Sequence, residues 1–165
     1  LDALETTGTG KIISSPKVMT MDNVEAKIGQ GEEIPYIVRD KDGSPTVEMK
    51  EAKLSLRVKP KITAEGKISM EIETTNKYAD WSKTNTLNEN PPLVSSDVLS
   101  KVVVNDGDTV VIGGIYKNTE TSSVSGIPYL SQIPILGWMF KTTSKNSTKR
   151  EILIFVTPTI IKREG

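Results

Sequence analysis

Paired carboxylates at Glu32-Glu33 and at Glu71 and Glu73 come closest, by type and spacing, to a chemical constellation in this 165-residue sequence. Two facing carboxyl groups are the acid–base set of glycoside hydrolysis. Both pairs fall in stretches that alternate apolar and polar residues, so they read as solvent-facing strand positions. A second acidic group, Asp106-Gly107-Asp108 with Glu120 downstream, lacks the ligand spacing and closing Glu of a calcium loop and reads as a hairpin turn. The sequence has no Cys and no His. Thiol nucleophiles, disulfides, Cys/His zinc sites and imidazole acid–base chemistry are therefore absent. The expectation is a protein that is not an enzyme and carries no cofactor or metal.

Twenty-one basic residues balance twenty-one acidic ones, a charge balance that gives no overall field to attract nucleic acid. Apolar residues make up 36% of the chain, little for a compact domain. Such a chain buries less than average or completes its burial against other copies of itself. Frequent Thr, Val, Ile and Ser favour strands, and no run reaches the ~20 apolar residues of a membrane-spanning helix. Any contact with a membrane must be made by a barrel or an interfacial segment. The length suits one domain, and the opening Leu1-Asp2-Ala3, without an initiator Met, reads as a fragment of a longer chain.

The elements that would position these residues are mostly strands. Leu1–Thr7 reads as a helix tail ended by Gly8 and Gly10, and Lys11–Met21 as a strand. Asp22-Asn23 makes a turn, Val24, Ala26 and Ile28 alternate with charged residues, and Gly29 and Gly31 break the pattern. Residues 34–50 form a hairpin around Asp40–Pro45. Ala52, Leu54, Leu56 and Val58 alternate with Lys53, Ser55, Arg57 and Lys59. After a turn at Ala64-Glu65-Gly66, Ile68, Met70 and Ile72 alternate with Ser69, Glu71 and Glu73. These two strands pair, with Lys53/Arg57 and Glu71/Glu73 able to meet on the polar face.

Residues 75–96 form a long polar connection with few large apolar groups, a length that is functional or disordered in most domains. Val98–Val104 and Thr109–Tyr116 read as a hairpin around Asn105–Asp108. Glu151–Ile161 reads as a strand covered on both faces. Between them lies Gly126–Lys141, the most apolar stretch, with Pro128 and Pro134. It reads as an irregular loop with one helical turn, flanked by polar Lys117–Ser125 and Thr142–Thr148. A loop this apolar must cover a core, meet a partner or sit in a bilayer interface.

Several of these segments, in order, carry a resemblance. Ile13-Ser14-Ser15-Pro16-Lys17-Val18, Asn23-Val24-Glu25-Ala26 and Gly29-Gln30-Gly31-Glu32-Glu33-Ile34-Pro35 are followed by Val110–Tyr116 with its Gly113-Gly114 pair. Ile127-Pro128-Tyr129-Leu130, Ile133-Pro134-Ile135-Leu136-Gly137, Phe140-Lys141 and Lys149–Pro158 complete the series. Together they resemble the bacterial secretins over nearly the whole chain. Gly113-Gly114-Ile115-Tyr116 and Asn90-Pro91-Pro92 look most like the type IV pilus secretin, with the type II secretion secretin close behind. Ser131-Gln132 departs from the Gly-Asp-like turn of many relatives.

The resemblance implies an all-β fold whose antiparallel strands join a large multi-subunit β-barrel, with inward gate hairpins and a short amphipathic lip. Residues 1–165 would be one membrane-ring domain. Within it, 34–50 would be a cap or gate hairpin, 75–96 a gate and 126–141 a lip at the membrane interface. Gate candidates are Tyr78, Trp81, Asn85, Asn88, Asn90, Pro91 and Pro92. Lip candidates are Ile127, Tyr129, Leu130, Ile133, Leu136, Trp138, Met139 and Phe140, with Lys141, Lys145, Lys149 and Arg150 facing lipid headgroups or water.

Four strands from each of about a dozen copies, spaced ~4.8 Å and tilted ~40°, close a barrel roughly 100 Å across, wide enough for folded proteins. The implied partners are other copies in a ring, outer-membrane lipid of a Gram-negative-type bacterium, and a pilus fibre or secreted protein as cargo. A pilotin and inner-membrane assembly proteins are further partners that the resemblance admits. Two other readings stand beside a pore for pilus passage: the same kind of pore for type II secretion, and a soluble β-rich binding module.

Overall fold

The computed structural model describes residues 5–84, 90–126, 129, 134 and 141–162. Six strands run in order: β1 (Ala26–Arg39), β2 (Pro45–Ile62), β3 (Ile68–Ala79), β4 (Leu93–Val104), β5 (Val110–Gly126) and β6 (Lys141–Val156). All pairings are antiparallel, in line with the all-β expectation. The chain divides into two units, Leu1–Asp106 with Ile160–Gly165, and Gly107–Thr159.

The first unit is a four-stranded meander in the order β1-β2-β3-β4. Its two β1–β2 and β2–β3 turns are built alike. Gly43 N donates to Asp40 O at 2.8 Å and Asp40 N to Ser44 O at 2.9 Å, while Gly66 N donates to Thr63 O at 3.0 Å and Thr63 N to Lys67 O at 2.8 Å. Gly43 and Gly66 each have φ near +79°, the left-handed residue that such five-residue hairpin turns require. The expected alternation then sorts the residues. Ala52, Ile68, Met70, Ile72 and Val104 are buried; the register Val58↔Ile72 and Ile68↔Val104 places β2, β3 and β4 members of this set on one face.

Asp22-Asn23 forms the expected turn and is tied to the end of β2. Asn23 N donates to Pro60 O at 2.7 Å, and Ile62 N donates to Asp22 Oδ1 at 2.7 Å. Residues 5–7 are not helical, and Lys11–Met21 forms no strand. The latter segment has strand-forming residues, but among the described residues no strand pairs with it, and Ile12, Ile13, Met19 and Met21 stay exposed.

Gly29 and Gly31 do not break β1; the strand runs through them and is paired throughout. Their role is close approach. A Cβ on Gly31 would lie 2.3 Å from Ala52 O and 2.8 Å from Lys53 Cα, and one on Gly29 would lie 2.7 Å from Lys53 Cε. Glycine here lets one strand press against its neighbour, a known use of the residue within strands.

The second unit is a two-stranded ribbon, β5 with β6, paired from Val110↔Val156 to Gly126↔Lys141. The expected hairpin of Val98–Val104 with Thr109–Tyr116 is not formed: β4 pairs with β3, and β5 with β6. The turn signal at Asn105–Asp108 is used differently. Asp106 Oδ1 accepts from Ile160 N at 2.6 Å, and Gly107, with φ +81°, donates its N–H to Pro158 O at 2.8 Å. The polar flanks Lys117–Ser125 and Thr142–Thr148 are strand, because Thr and Ser suit an extended ladder whose backbone groups they leave free to pair. Nor, among the described residues, is the expected strand Glu151–Ile161 covered on both faces: it ends at Val156, and a two-stranded ribbon offers no second layer. Leu153 and Phe155 are more than half exposed.

Candidate functional site

Of the carboxylate pairs, Glu71 and Glu73 prove to be ion-paired surface positions, and Glu32 and Glu33 are exposed residues of β1. Arg57 Nη1 lies 3.1 Å from Glu73 Oε2, as expected from their alternation, and Arg57 Nε lies 3.7 Å from Glu25 Oε1. Glu71 pairs with Lys101 of β4 at 2.8 Å, not with Lys53. The lysine's hydrogen bond and charge hold the Glu71 carboxyl below its usual range. Among the described residues no cluster of acidic side chains is arranged to hold a metal ion. Among the described residues no helix is long and apolar enough to cross a membrane, which says nothing of a β-barrel.

The segment expected as a gate is shorter as a connection than 75–96. Thr75–Ala79 extend β3 and Leu93–Ser96 begin β4, paired from Asn76↔Ser96 to Ala79↔Leu93. Asp80 N donates to Pro92 O at 2.9 Å, closing the base of the connection. Beyond it, Trp81–Lys83 make a single 3-10 turn capped by Asp80. Asp80 Oδ1 accepts from Ser82 Oγ at 2.5 Å and from Ser82 N at 3.2 Å. The Ser82 hydroxyl, then Lys83 at 3.3 Å, holds the Asp80 carboxyl below its ordinary range. Trp81 is 60% exposed and Tyr78 about one-third exposed; Asn85 and Asn88 lie outside the described residues.

The far end of this connection meets the other expected gate segment. Asn90 Oδ1 accepts from Ile37 N at 2.9 Å, and Asn90 Nδ2 donates to Ile37 O at 2.7 Å. The Tyr36 hydroxyl donates to Pro91 O. Pro91 is fully buried, and Ile34, two residues before Tyr36 on the same face of β1, is buried too. Asn90, Pro91 and Pro92 were legible as candidates; Tyr36 and Ile37 were not, because nothing local marks a strand residue as the anchor of a segment more than fifty positions away.

The segment expected as a lip begins where the ladder of the ribbon ends. Gly126 and Lys141 close the β5–β6 ladder on either side of residues 127–140. Of the lip candidates, Tyr129 is 88% exposed, and Ile127, Leu130, Ile133, Leu136, Trp138, Met139 and Phe140 lie outside the described residues. At the opposite end the ribbon is apolar on both faces. Val111, Leu153 and Phe155 line one side and Ile152, Ile154 and Val156 the other. A register shift between Val111 and Gly113 inserts Ile112 as a bulge. At Gly114 a Cβ would meet Leu153 Cδ2 at 2.9 Å, so the Gly113-Gly114 pair marks a kink and a close approach of backbone.

The sequence model named Secretin, described as "Bacterial type II and III secretion system protein", matches residues 3–162. The chain is 41% identical over 165 residues to the Fimbrial assembly protein PilQ of Pseudomonas aeruginosa, covering all of this chain and 23% of that protein. Its fold matches the cryo-EM structure of the V. cholerae type IV competence pilus secretin PilQ with a TM-score of 0.62 and 35% identity, over 87% of this chain and 35% of that one. It also matches the Klebsiella pneumoniae type II secretion system outer membrane complex of PulD, PulS and the PulC HR domain, with a TM-score of 0.68 and 32% identity, over 88% of this chain and 24% of that one. The chain thus spans about a quarter to a third of the length of these relatives.

Proposed function

The chain belongs to the secretin family, and we propose that it is one subunit's share of a gated, oligomeric outer-membrane pore that passes a pilus fibre. The observation that carries this reading is the β5–β6 ribbon. It is two strands wide, 17 and 16 residues long, apolar on both faces at one end, and among the described residues no third strand pairs with it. Two strands alone are at best marginally stable in water, and open edges invite further strands. In a membrane a sheet must close into a barrel so that no backbone group is left unpaired. Copies of the same ribbon, side by side in a ring, meet all three demands.

In this reading, residues 34–50 form a cap or gate hairpin, residues 75–96 reach inward as the gate and residues 126–141 form the lip. Tyr129, Trp138 and Phe140 lie at the bilayer interface, where amphipathic rings are favoured. A fibre is favoured as cargo by the 41% identity to a fimbrial assembly protein. Passage of folded proteins by type II secretion is the second reading, favoured by the match to the Klebsiella complex. A pilotin-type partner is part of the proposal on the same ground. Full-length protein extracted in mild detergent tests the pore: electron microscopy is expected to find rings of megadalton scale. A monodisperse monomer would overturn it. Deleting the gene separates the cargo readings, through loss of surface pili or loss of secreted proteins.

A further inference from the structure

We infer that Asn90 is a latch: its carboxamide acts as a one-residue strand that holds the β3–β4 connection on the outer edge of β1 and closes that edge to strand addition by a second copy of this chain. In an antiparallel ladder a residue directs both its N–H and its C=O either to the partner strand or away from it. Ile37 stands opposite Val47 in the β1–β2 register, yet its N–H and C=O are both taken by the Asn90 side chain, at 2.9 and 2.7 Å. Ile37 therefore faces away from β2, on the open side of β1.

Pro35, two residues earlier, directs its backbone to the same open side and has no N–H to offer. A proline and a capping side chain in successive outward positions blunt a sheet edge in the way that protects natural edge strands from unwanted pairing. The edge of β1 is thereby closed at Pro35 and Ile37, near its turn end, and strand addition by another copy is confined to the stretch before Pro35. The Tyr36–Pro91 hydrogen bond and the burial of Pro91 fasten the same connection a second time. The two expected gate segments are thereby joined to each other at Ile37 and Asn90. Their role as a gate rests on the reading above; the latch itself does not.

Hydrogen exchange of the full-length assembled protein, read at the Ile37 amide, tests the latch. Asn90→Ala is expected to speed exchange there by about tenfold, in keeping with the loss of one structural hydrogen bond. Asn90→Asp keeps an acceptor for the Ile37 N–H but offers no donor to its C=O, and is expected to retain part of the protection. Equal protection in the wild type and Asn90→Ala would overturn the proposal, because another strand would then cover that edge. An Ile37 amide already unprotected in the wild type would overturn it as well. Bilayer conductance of the same variants separates the two readings: faster exchange with unchanged conductance keeps the latch and removes the gate.

Discussion

Glu71 and Lys101 stand opposite each other on β3 and β4, the carboxylate Oε1 2.8 Å from the ammonium Nζ. The pairing lowers the Glu71 pKa. A carboxyl whose folded pKa is depressed adds stability above the unfolded value, and that contribution fades as pH falls through the folded one. Both side chains are largely exposed, so the effect is small and weakened by salt. Lys101→Met is expected to lower thermal stability slightly at neutral pH and to match the wild type once the pH is well below the usual glutamate range. Melting curves across pH at low salt check this; a constant difference at all pH values would show that packing, not charge, is lost.

Gly31 is expected to tolerate no side chain. A Cβ 2.3 Å from Ala52 O forces β1 and β2 apart, and Gly31→Ala should cost on the order of 1–3 kcal/mol, the usual scale of overpacking. Gly8, with nothing within 4 Å of an added Cβ, is the control, and Gly8→Ala should be silent. Denaturant midpoints of the two variants make the comparison.

Replacing Trp81–Glu89 by a short Gly/Asn turn, with Asn90 and Pro91 kept, should leave rings assembled and raise bilayer conductance. The ladder from Asn76↔Ser96 to Ala79↔Leu93 remains intact in that variant. Cutting further, into Thr75–Ala79 or Leu93–Ser96, removes paired strand and should impair assembly. Unchanged conductance with intact rings would remove the gate assignment.

Trp138→Glu with Phe140→Glu probes the lip. Two lost aromatic anchors, at ~1.5–3 kcal/mol of burial each, repeated around a ring, should leave pores assembled but poorly inserted. Membrane flotation beside particle imaging distinguishes the cases: rings that float normally would sink the lip, and absence of rings would place these residues in the protein's own core.

Where the governing forces are local, the sequence by itself determined the outcome. Alternation at Ala52–Val58 and Ile68–Ile72, with a left-handed glycine at Gly66 between them, determined β2, β3, their turn and the Arg57–Glu73 contact, because a period of two and a tight turn leave one register that keeps the apolar face together. The ordered motifs from Ile13 to Pro158 likewise made the family legible. Only the tertiary structure decided the pairings between segments far apart in the chain. Asn105–Asp108 carries strong turn chemistry, yet β5 pairs with β6 and not with β4, since a turn signal does not choose a strand's partner. Lys11–Met21 has the residues of a strand, and among the described residues no strand pairs with it. Gly29 and Gly31 look like breaks until Lys53 lies against them. Asn90 reads as a residue before two prolines until its side chain meets Ile37. In each case the deciding hydrogen bond or close contact joins residues that only the folded chain brings together.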